Sequence, residues 1–403
     1  MGKTIGICAC YDTKNYGSVL QTLATVEQFQ DLGWEYEIIR YTRKPTFSLL
    51  CRSWRRIPSW ISGRVRGYRQ QAQLNRHPLL RQEVRLRNQR FAQFVSRNFP
   101  RMSPRYDTFR QLQRAAKRYD AVLVGSDQLW NPKGFTTGFY TLDFVPLSVP
   151  KIAYATSFGV GEIPRHQRKR AQKFLNRIES ISVRELRGAE MVYGLTGRRV
   201  PAVVDPTMLL HRSDWDRLIP PQRLVEGRYV LCYFLGDQRQ HRKMAKAFAQ
   251  KMGCRTVTIP HLDAFVPGDL SFGDLQLTAS SPEDFLNLIR GAAYVCTDSF
   301  HGTVFSLLYH KPFATFLRYS HASRDSRNSR IDSLLHQAGL EQRRVTSFAP
   351  GTLEQIFSVP IDYAAVDARI SQMVQASREY LKGALKDAEE KWCGTHRERY
   401  ETD

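Results

Sequence analysis

A regular alternation of short apolar runs with amphipathic stretches restricts this chain more than any other feature. The run "KTIGICACY" has the pattern of a buried strand, "DTKNYGS" the polar and glycine content of a loop, "VLQTLATVEQFQDLGW" the apolar spacing of a helix, and "EYEIIRY" that of a second strand. Together they predict a βαβ unit. Strand signals resume at "YDAVLVG", "KIAYATSFG", "SISVRE" and "RVPAVVDP". After Pro206 a polar, proline-containing segment, "TMLLHRSDWDRLIPPQRLVEG", reads as a connection, and the alternation then repeats. In the second half "RYVLCYFLGD", "CRTVTIPH", "AAYVCTD" and "PFATFL" are strands, and "RKMAKAFAQKM", "PEDFLNLIRGA", "TVFSLLYH" and "SRIDSLLHQAG" are the helices between them.

A chain of 403 residues is long enough for two such units. The expected fold is α/β, two Rossmann-like doubly wound domains facing each other across a cleft. The first domain spans 1–205 and carries a basic insertion at about 40–118, the second spans 206–362, and a polar helix occupies 363–403. Between Arg40 and Arg90 there are fourteen Lys or Arg and one acid, Glu83, interleaved with Trp54, Trp60 and several aliphatic residues. This stretch reads either as a docking surface for an anionic membrane leaflet or as a solvated helical face; its Trp and Leu content favours the first. No nucleic-acid module appears, so nucleic acid is not an expected partner.

The net charge of +22 favours phosphates, acidic sugars or anionic membranes as partners. The seven cysteines lack disulfide or zinc spacing, as expected of free thiols in a reducing compartment. No apolar run approaches the roughly 20 residues of a membrane span, and "MGKTIGICACY" does not read as a signal peptide. The expected location is the cytosol, with the basic insertion touching the inner membrane face.

In open α/β sheets, ligands bind beyond the carboxyl ends of the strands. Five polar clusters fall there: "YDTKNYGS", "VGSDQLWNP", "TSFGVG", "SVREL" and "TDSFHGT". In the last, Asp298 or Ser299 is the expected helix cap, Gly302 allows close backbone approach, and His301 lies in the first helical turn facing the cleft. A histidine there either completes a cap or core hydrogen bond or meets a ligand. The "DWD" at Asp214–Asp216 resembles a metal-binding Asp-x-Asp but reads better as a cap and helix start, so no metal site is expected.

The blocks "NYGSVLQTLA", "YDAVLVGSDQLWNP", "KIAYATSFG", "ISVRELRGAEM", "VVDPTMLL" and "TDSFHGTVFSLLYHKPFA", in this order and spacing, resemble the polysaccharide pyruvyl transferase family. The resemblance runs from Ile5 to about Leu340, apart from the insertion. It implies a fold like that of the GT-B glycosyltransferases, phosphoenolpyruvate as donor, a sugar hydroxyl pair as acceptor, and no cofactor. By position, His301 matches the family's catalytic or donor-contacting histidine, and Arg184 a donor-binding arginine. Relatives carry an arginine two residues before the histidine, where this chain has Ser299, so a further cation is expected near the donor. Arg318, Arg324, Arg327 and Arg330 leave the sheet at the same edge, and Arg330 is favoured because it sits in the first turn of a helix, where a cation opposes the dipole.

On this reading His301 is the acid or phosphate partner, and Arg184, Arg330, Ser299 and Gly302 line the donor. Asp127 orients or deprotonates an acceptor hydroxyl, or else caps a turn. Gln128 and Asn131 are expected to bind the sugar, and Asn15, Tyr16 and Gly17 to line the cleft opposite, Gly17 alternatively serving a tight turn. The expected reaction transfers the pyruvyl group to a surface polysaccharide or its lipid-linked precursor as a cyclic ketal. The alternatives are a glycosyltransferase using a nucleotide sugar and a basic binding protein without catalysis.

Overall fold

The computed structural model describes residues 3–42, 76–262, 266–318 and 329–400. Among the described residues, twelve short strands form two parallel six-stranded sheets. The first contains β1 (Thr4–Cys8), β2 (Glu35–Tyr41), β3 (Met102–Tyr106), β4 (Ala121–Asp127), β5 (Lys151–Thr156) and β6 (Ser180–Val183), in the order β3-β2-β1-β4-β5-β6. The second contains β7 (Tyr229–Tyr233), β8 (Arg255–Thr258), β9 (Leu275–Gln276), β10 (Tyr294–Thr297), β11 (Phe313–Phe316) and β12 (Arg344–Val345), in the order β12-β11-β10-β7-β8-β9. Each half thus has the same winding, with its first and fourth strands adjacent. Ile5 pairs with Ala121 in one sheet and Leu231 with Val295 in the other. The chain reverses direction across the sheet at that point, and the loops that part there leave a crevice at the carboxyl edge. The strands read as continuous apolar runs because helices cover both faces: Ile5, Ile7, Val122, Leu123, Val230 and Leu231 are fully buried.

The helices are α1 (Tyr16–Asp31), α2 (Pro78–Asn98), α3 (Phe109–Ala116), α4 (Arg165–Leu175), α5 (Leu186–Thr196), α6 (Arg212–Leu218), α7 (Arg239–Lys251), α8 (Pro282–Gly291), α9 (Phe300–Leu308), α10 (Ser329–Ala338), α11 (Thr352–Ser358) and α12 (Tyr363–Tyr400). Part of the segment expected as an insertion is not one. Residues 76–118 supply α2, the edge strand β3 and α3, so they complete the first sheet; their arginines masked a strand whose neighbours bury only Ser103 fully. Residues 43–75 of the expected insertion lie outside the described residues.

The two halves are joined by more than their connection. Tyr16, at the start of α1, is stacked on Phe285 of α8 with ring centroids 5.1 Å apart, and its hydroxyl donates to the Ser280 carbonyl at 3.1 Å. Helix α12 returns from the second half to the first: Ser377 Oγ accepts the Val204 N–H at 3.0 Å and the Tyr380 hydroxyl donates to the Ala153 carbonyl at 3.1 Å. No described helix is long and apolar enough to cross a membrane. The "DWD" carboxylates serve the structure: Asp214 completes a capping box with His211, and Asp216 accepts from Arg290 at 2.7 Å.

Candidate active site

Asp127 ends β4, the fourth strand of the first sheet, and His301 follows β10, the fourth strand of the second. The two crevices face each other, and their side chains merge into one cluster. Arg184, just after β6, donates from Nη1 to Asp205 Oδ2 at 2.7 Å and faces Asp127 Oδ1 with Nη2 at 3.4 Å. His301 Nε2 lies 3.7 Å from Asp205 Oδ1, and Arg330 Nη1 lies 4.0 Å from Asp127 Oδ1. Phe300 lies against both guanidiniums, whose carbons are 4.5 Å (Arg184) and 5.7 Å (Arg330) from its ring centre. Side-chain exposure is 0% for Asp205, 1% for Arg184 and 8% for His301 and Arg330, but 20% for Asp127, so solvent reaches the cluster on the Asp127 side.

The Asn15 cap and the first turn of α1, "NYGS", build the other wall, with a separate task for each residue. Asn15 caps α1, its side chain accepting from the Ser18 N–H at 3.2 Å. Tyr16 ties the turn to the second half. Gly17 has no side chain where His301 lies: a Cβ there would sit 2.0 Å from Nδ1 of the imidazole. The Ser18 hydroxyl donates to Asp127 Oδ2 at 2.6 Å.

Electrostatics follow from the crowding. Burial alone would raise the Asp127 carboxyl, but Arg184, His301, Arg330 and the Ser18 hydroxyl outweigh it and lower its pKa to about 2. Burial likewise opposes ionisation of Asp205, yet His301 and Arg184 hold it well below the usual carboxylate range. Arg330 differs. Burial and the charge of Arg184 lower its pKa to about 9 against the partial compensation of Asp127. Arg330 is therefore an under-compensated buried cation, the state in which an incoming anion gains most. His301 Nε2 is buried with no hydrogen-bond partner among the described residues, a second group suited to a ligand.

The Asp127 shift has a measurable consequence. A depressed carboxyl pKa contributes stability that is present above the ordinary value of 3.8 and is lost as pH falls through the folded value of about 2. Asp127→Asn is therefore the less stable protein at pH 7, by about 2 kcal/mol, and the gap narrows between pH 4 and pH 2. Denaturant midpoints across that range test this; a gap independent of pH refutes it.

Several residues expected at the site have other duties. Ser299, rather than Asp298, caps α9, its hydroxyl accepting from the Gly302 N–H at 3.3 Å. Gly302 allows a close approach to Thr297, whose Oγ1 would lie 2.6 Å from a Cβ there. Tyr16, expected to line the cleft, is buried between the two halves. The side-chain oxygens of Asn15 and Asn131 are taken up as caps, Asn131 accepting from the Lys133 N–H at 3.1 Å. Gln128, expected on the sugar, turns its amide oxygen to Arg330. Arg318 donates to the Asp298 carbonyl at 2.8 Å, while Asp298 receives the N–H groups of Leu235 and Gly236. Arg324 and Arg327 lie outside the described residues. Sequence reasoning missed Asp205 and Ser18, although both lie in the motif blocks "VVDPTMLL" and "NYGSVLQTLA"; the Asp-Pro of "VVDP" was the available signal for the first.

Paired doubly wound halves with polar groups converging between them define the two-domain GT-B class. The solved structure of UDP-GlcNAc 2-epimerase from Methanocaldococcus jannaschii is similar with a TM-score of 0.50 at 9% identity, over 90% of this chain and 93% of that one. Also similar are UDP-GlcNAc 2-epimerase from Neisseria meningitidis (0.49, 9% identity, 96% and 100% covered) and MurG from Acinetobacter baumannii (0.44, 11% identity, 95% and 99% covered). Comparison with curated proteins returns no match. The family model for polysaccharide pyruvyl transferase matches residues 15–321, and the chain belongs to that family, a family of transferases acting on polysaccharides. The match begins at the Asn15 cap and includes Asp127, Arg184, Asp205 and His301; Arg330 lies beyond its end.

Proposed function

We propose that the protein transfers the pyruvyl group of phosphoenolpyruvate to two hydroxyls of one sugar, in a surface polysaccharide or its lipid-linked precursor, forming a cyclic ketal and releasing phosphate. The observation that carries this reading is the under-compensated Arg330 in one cluster with His301, whose Nε2 makes no hydrogen bond among the described residues and faces Asp205 at 3.7 Å, within a chain of the pyruvyl transferase family. Phosphoenolpyruvate is itself the activated donor, so the reading requires no resident cofactor.

In the proposed step His301 gives a proton to the methylene carbon, and the adjacent carbon becomes electrophilic. One sugar oxygen bonds to that carbon. The second then displaces phosphate, and the two hydroxyl protons leave to phosphate and to the emptied imidazole. Asp205, held ionised, orients the imidazole and opposes its positive charge. Asp127, with a pKa of about 2, is a weak base, so its role is to hold an acceptor hydroxyl in place. Arg330 grips the donor's carboxylate or phosphate, and Arg184 fixes the two carboxylates around it. The basic run from Arg40 to Arg90 supports a position at the cytosolic face of an anionic membrane, where a lipid-linked acceptor would lie.

Arg330→Ala is expected to weaken phosphoenolpyruvate binding by about 1.5–3 kcal/mol, the cost of a lost charged hydrogen bond, while acceptor affinity stays nearly constant. Titration calorimetry measures this, and an unchanged dissociation constant moves the role to Arg318 or Arg324. The function itself is tested by incubating the protein with phosphoenolpyruvate and glycan extract. Acceptor-dependent phosphate release supports transfer; release of nucleotide from a nucleotide sugar instead indicates a glycosyltransferase, and neither outcome indicates a binding protein.

A further inference from the structure

A cavity of about 350 Å³ opens at the carboxyl edge of β1 and β2, beside the cluster but separate from it. Tyr11, Tyr41, Phe139 and Tyr140 line it, with Phe139 centred 5.5 Å from Tyr41 and 5.0 Å from Tyr140. Asp12, Thr13 and Arg105 add exposed polar groups to the same wall. None of Asp127, Arg184, Asp205, His301 or Arg330 is in the lining, so a molecule seated here is not the one that reacts. The cavity is nevertheless tied to the reaction. One loop after β1 places Tyr11, Asp12 and Thr13 in the cavity wall and, within seven residues of Tyr11, Gly17 under His301 and Ser18 on Asp127. Cys10, also in the lining, lies within the electrostatic reach of Asp127, the most exposed member of the cluster.

We infer that this cavity is a second glycan subsite, holding the sugar unit next to the one that receives the pyruvyl group. An aromatic wall offers area to the apolar C–H face of a pyranose, and a few polar groups at its edge set the orientation through ring hydroxyls. The volume lies at the lower end of the range for small-molecule sites and suits one or two rings. The acceptor is then at least a disaccharide. This rests on the pyruvyl-transfer reading for the identity of the acceptor, but not for the binding itself.

Saturation-transfer NMR on the full chain, with lactose, cellobiose, N,N′-diacetylchitobiose and digalacturonate as probes, tests the subsite. At least one disaccharide is expected to receive saturation on its ring protons, more strongly than galactose or glucose alone. Tyr11→Ala should reduce that signal at least about tenfold with an unchanged melting temperature, and Tyr11→Phe, which keeps the ring, should restore it. Absence of saturation from all four probes, or retention of full signal in folded Tyr11→Ala, overturns the subsite. Phosphoenolpyruvate binding, measured separately by calorimetry, reports on the donor: its absence sinks the transfer reading and leaves the subsite standing.

Discussion

His301→Ala is expected to lower acceptor-dependent phosphate release by about 10² to 10⁴, or roughly 3 to 5 kcal/mol of transition-state stabilisation, while the protein remains folded. The fold survives because Asp205 keeps its other partners when the imidazole is removed. It keeps Arg184 at 2.7 Å, the Thr207 hydroxyl at 2.8 Å, the Thr207 N–H at 3.1 Å and the Ser126 hydroxyl at 3.1 Å. Removing a buried ring leaves space but no stranded charge, so the loss falls on chemistry rather than on the core. His301→Gln sharpens the test, because an amide can hydrogen bond but cannot deliver a proton. If the role is proton transfer, both variants are inactive and both bind phosphoenolpyruvate; if it is only to grip phosphate, Gln retains much of the turnover. Near-normal turnover in folded His301→Ala removes the histidine from the mechanism.

The doubly wound pattern was legible because strand and helix periods differ and because each half repeats the alternation. The exceptions were the two-residue strands β9 and β12, the stretch "RVPAVVDP", which makes one bridge at Ala202 instead of a strand, and β3. Its "MSPRY" lies in a basic run, and an edge strand with one covered face lacks the apolar signal of its neighbours. Of the residues that the structure brings into one cluster, Arg184 and His301 stand out in sequence as members of motif blocks at strand ends, and Arg330 as a cation at a helix start. What the sequence could not show is how the hydroxyls and amides divide between caps and ligands. Ser299, Asn15 and Asn131 look like sugar or phosphate partners in one dimension, but each sits where a backbone N–H turns back to it. Asp205 was hidden for the opposite reason. Its importance comes from Arg184, 21 residues earlier, and His301, in the other half of the chain, and only the fold brings these together.

Gly17→Ala is expected to cost nearly as much activity as His301→Ala, from a residue that performs no chemistry. The added Cβ would lie 2.0 Å from Nδ1, 2.2 Å from Cγ and 2.7 Å from Cβ of His301. These distances are too short for a small adjustment, and the contact with Cβ means that rotating the ring does not remove the clash. Either the imidazole leaves Asp205, or the first turn of α1 backs away. The second route pulls Ser18 from Asp127 and Tyr16 from Phe285, so both routes dismantle the cluster. Overpacking of this kind costs about 1–3 kcal/mol of stability. The double variant separates the two effects. With the ring already absent in His301→Ala, part of the space is free, and adding Gly17→Ala should lower the melting temperature less than it does in the parent, with no further loss of turnover. Additive losses in stability and activity would show that the clash with His301 is not what Gly17 avoids.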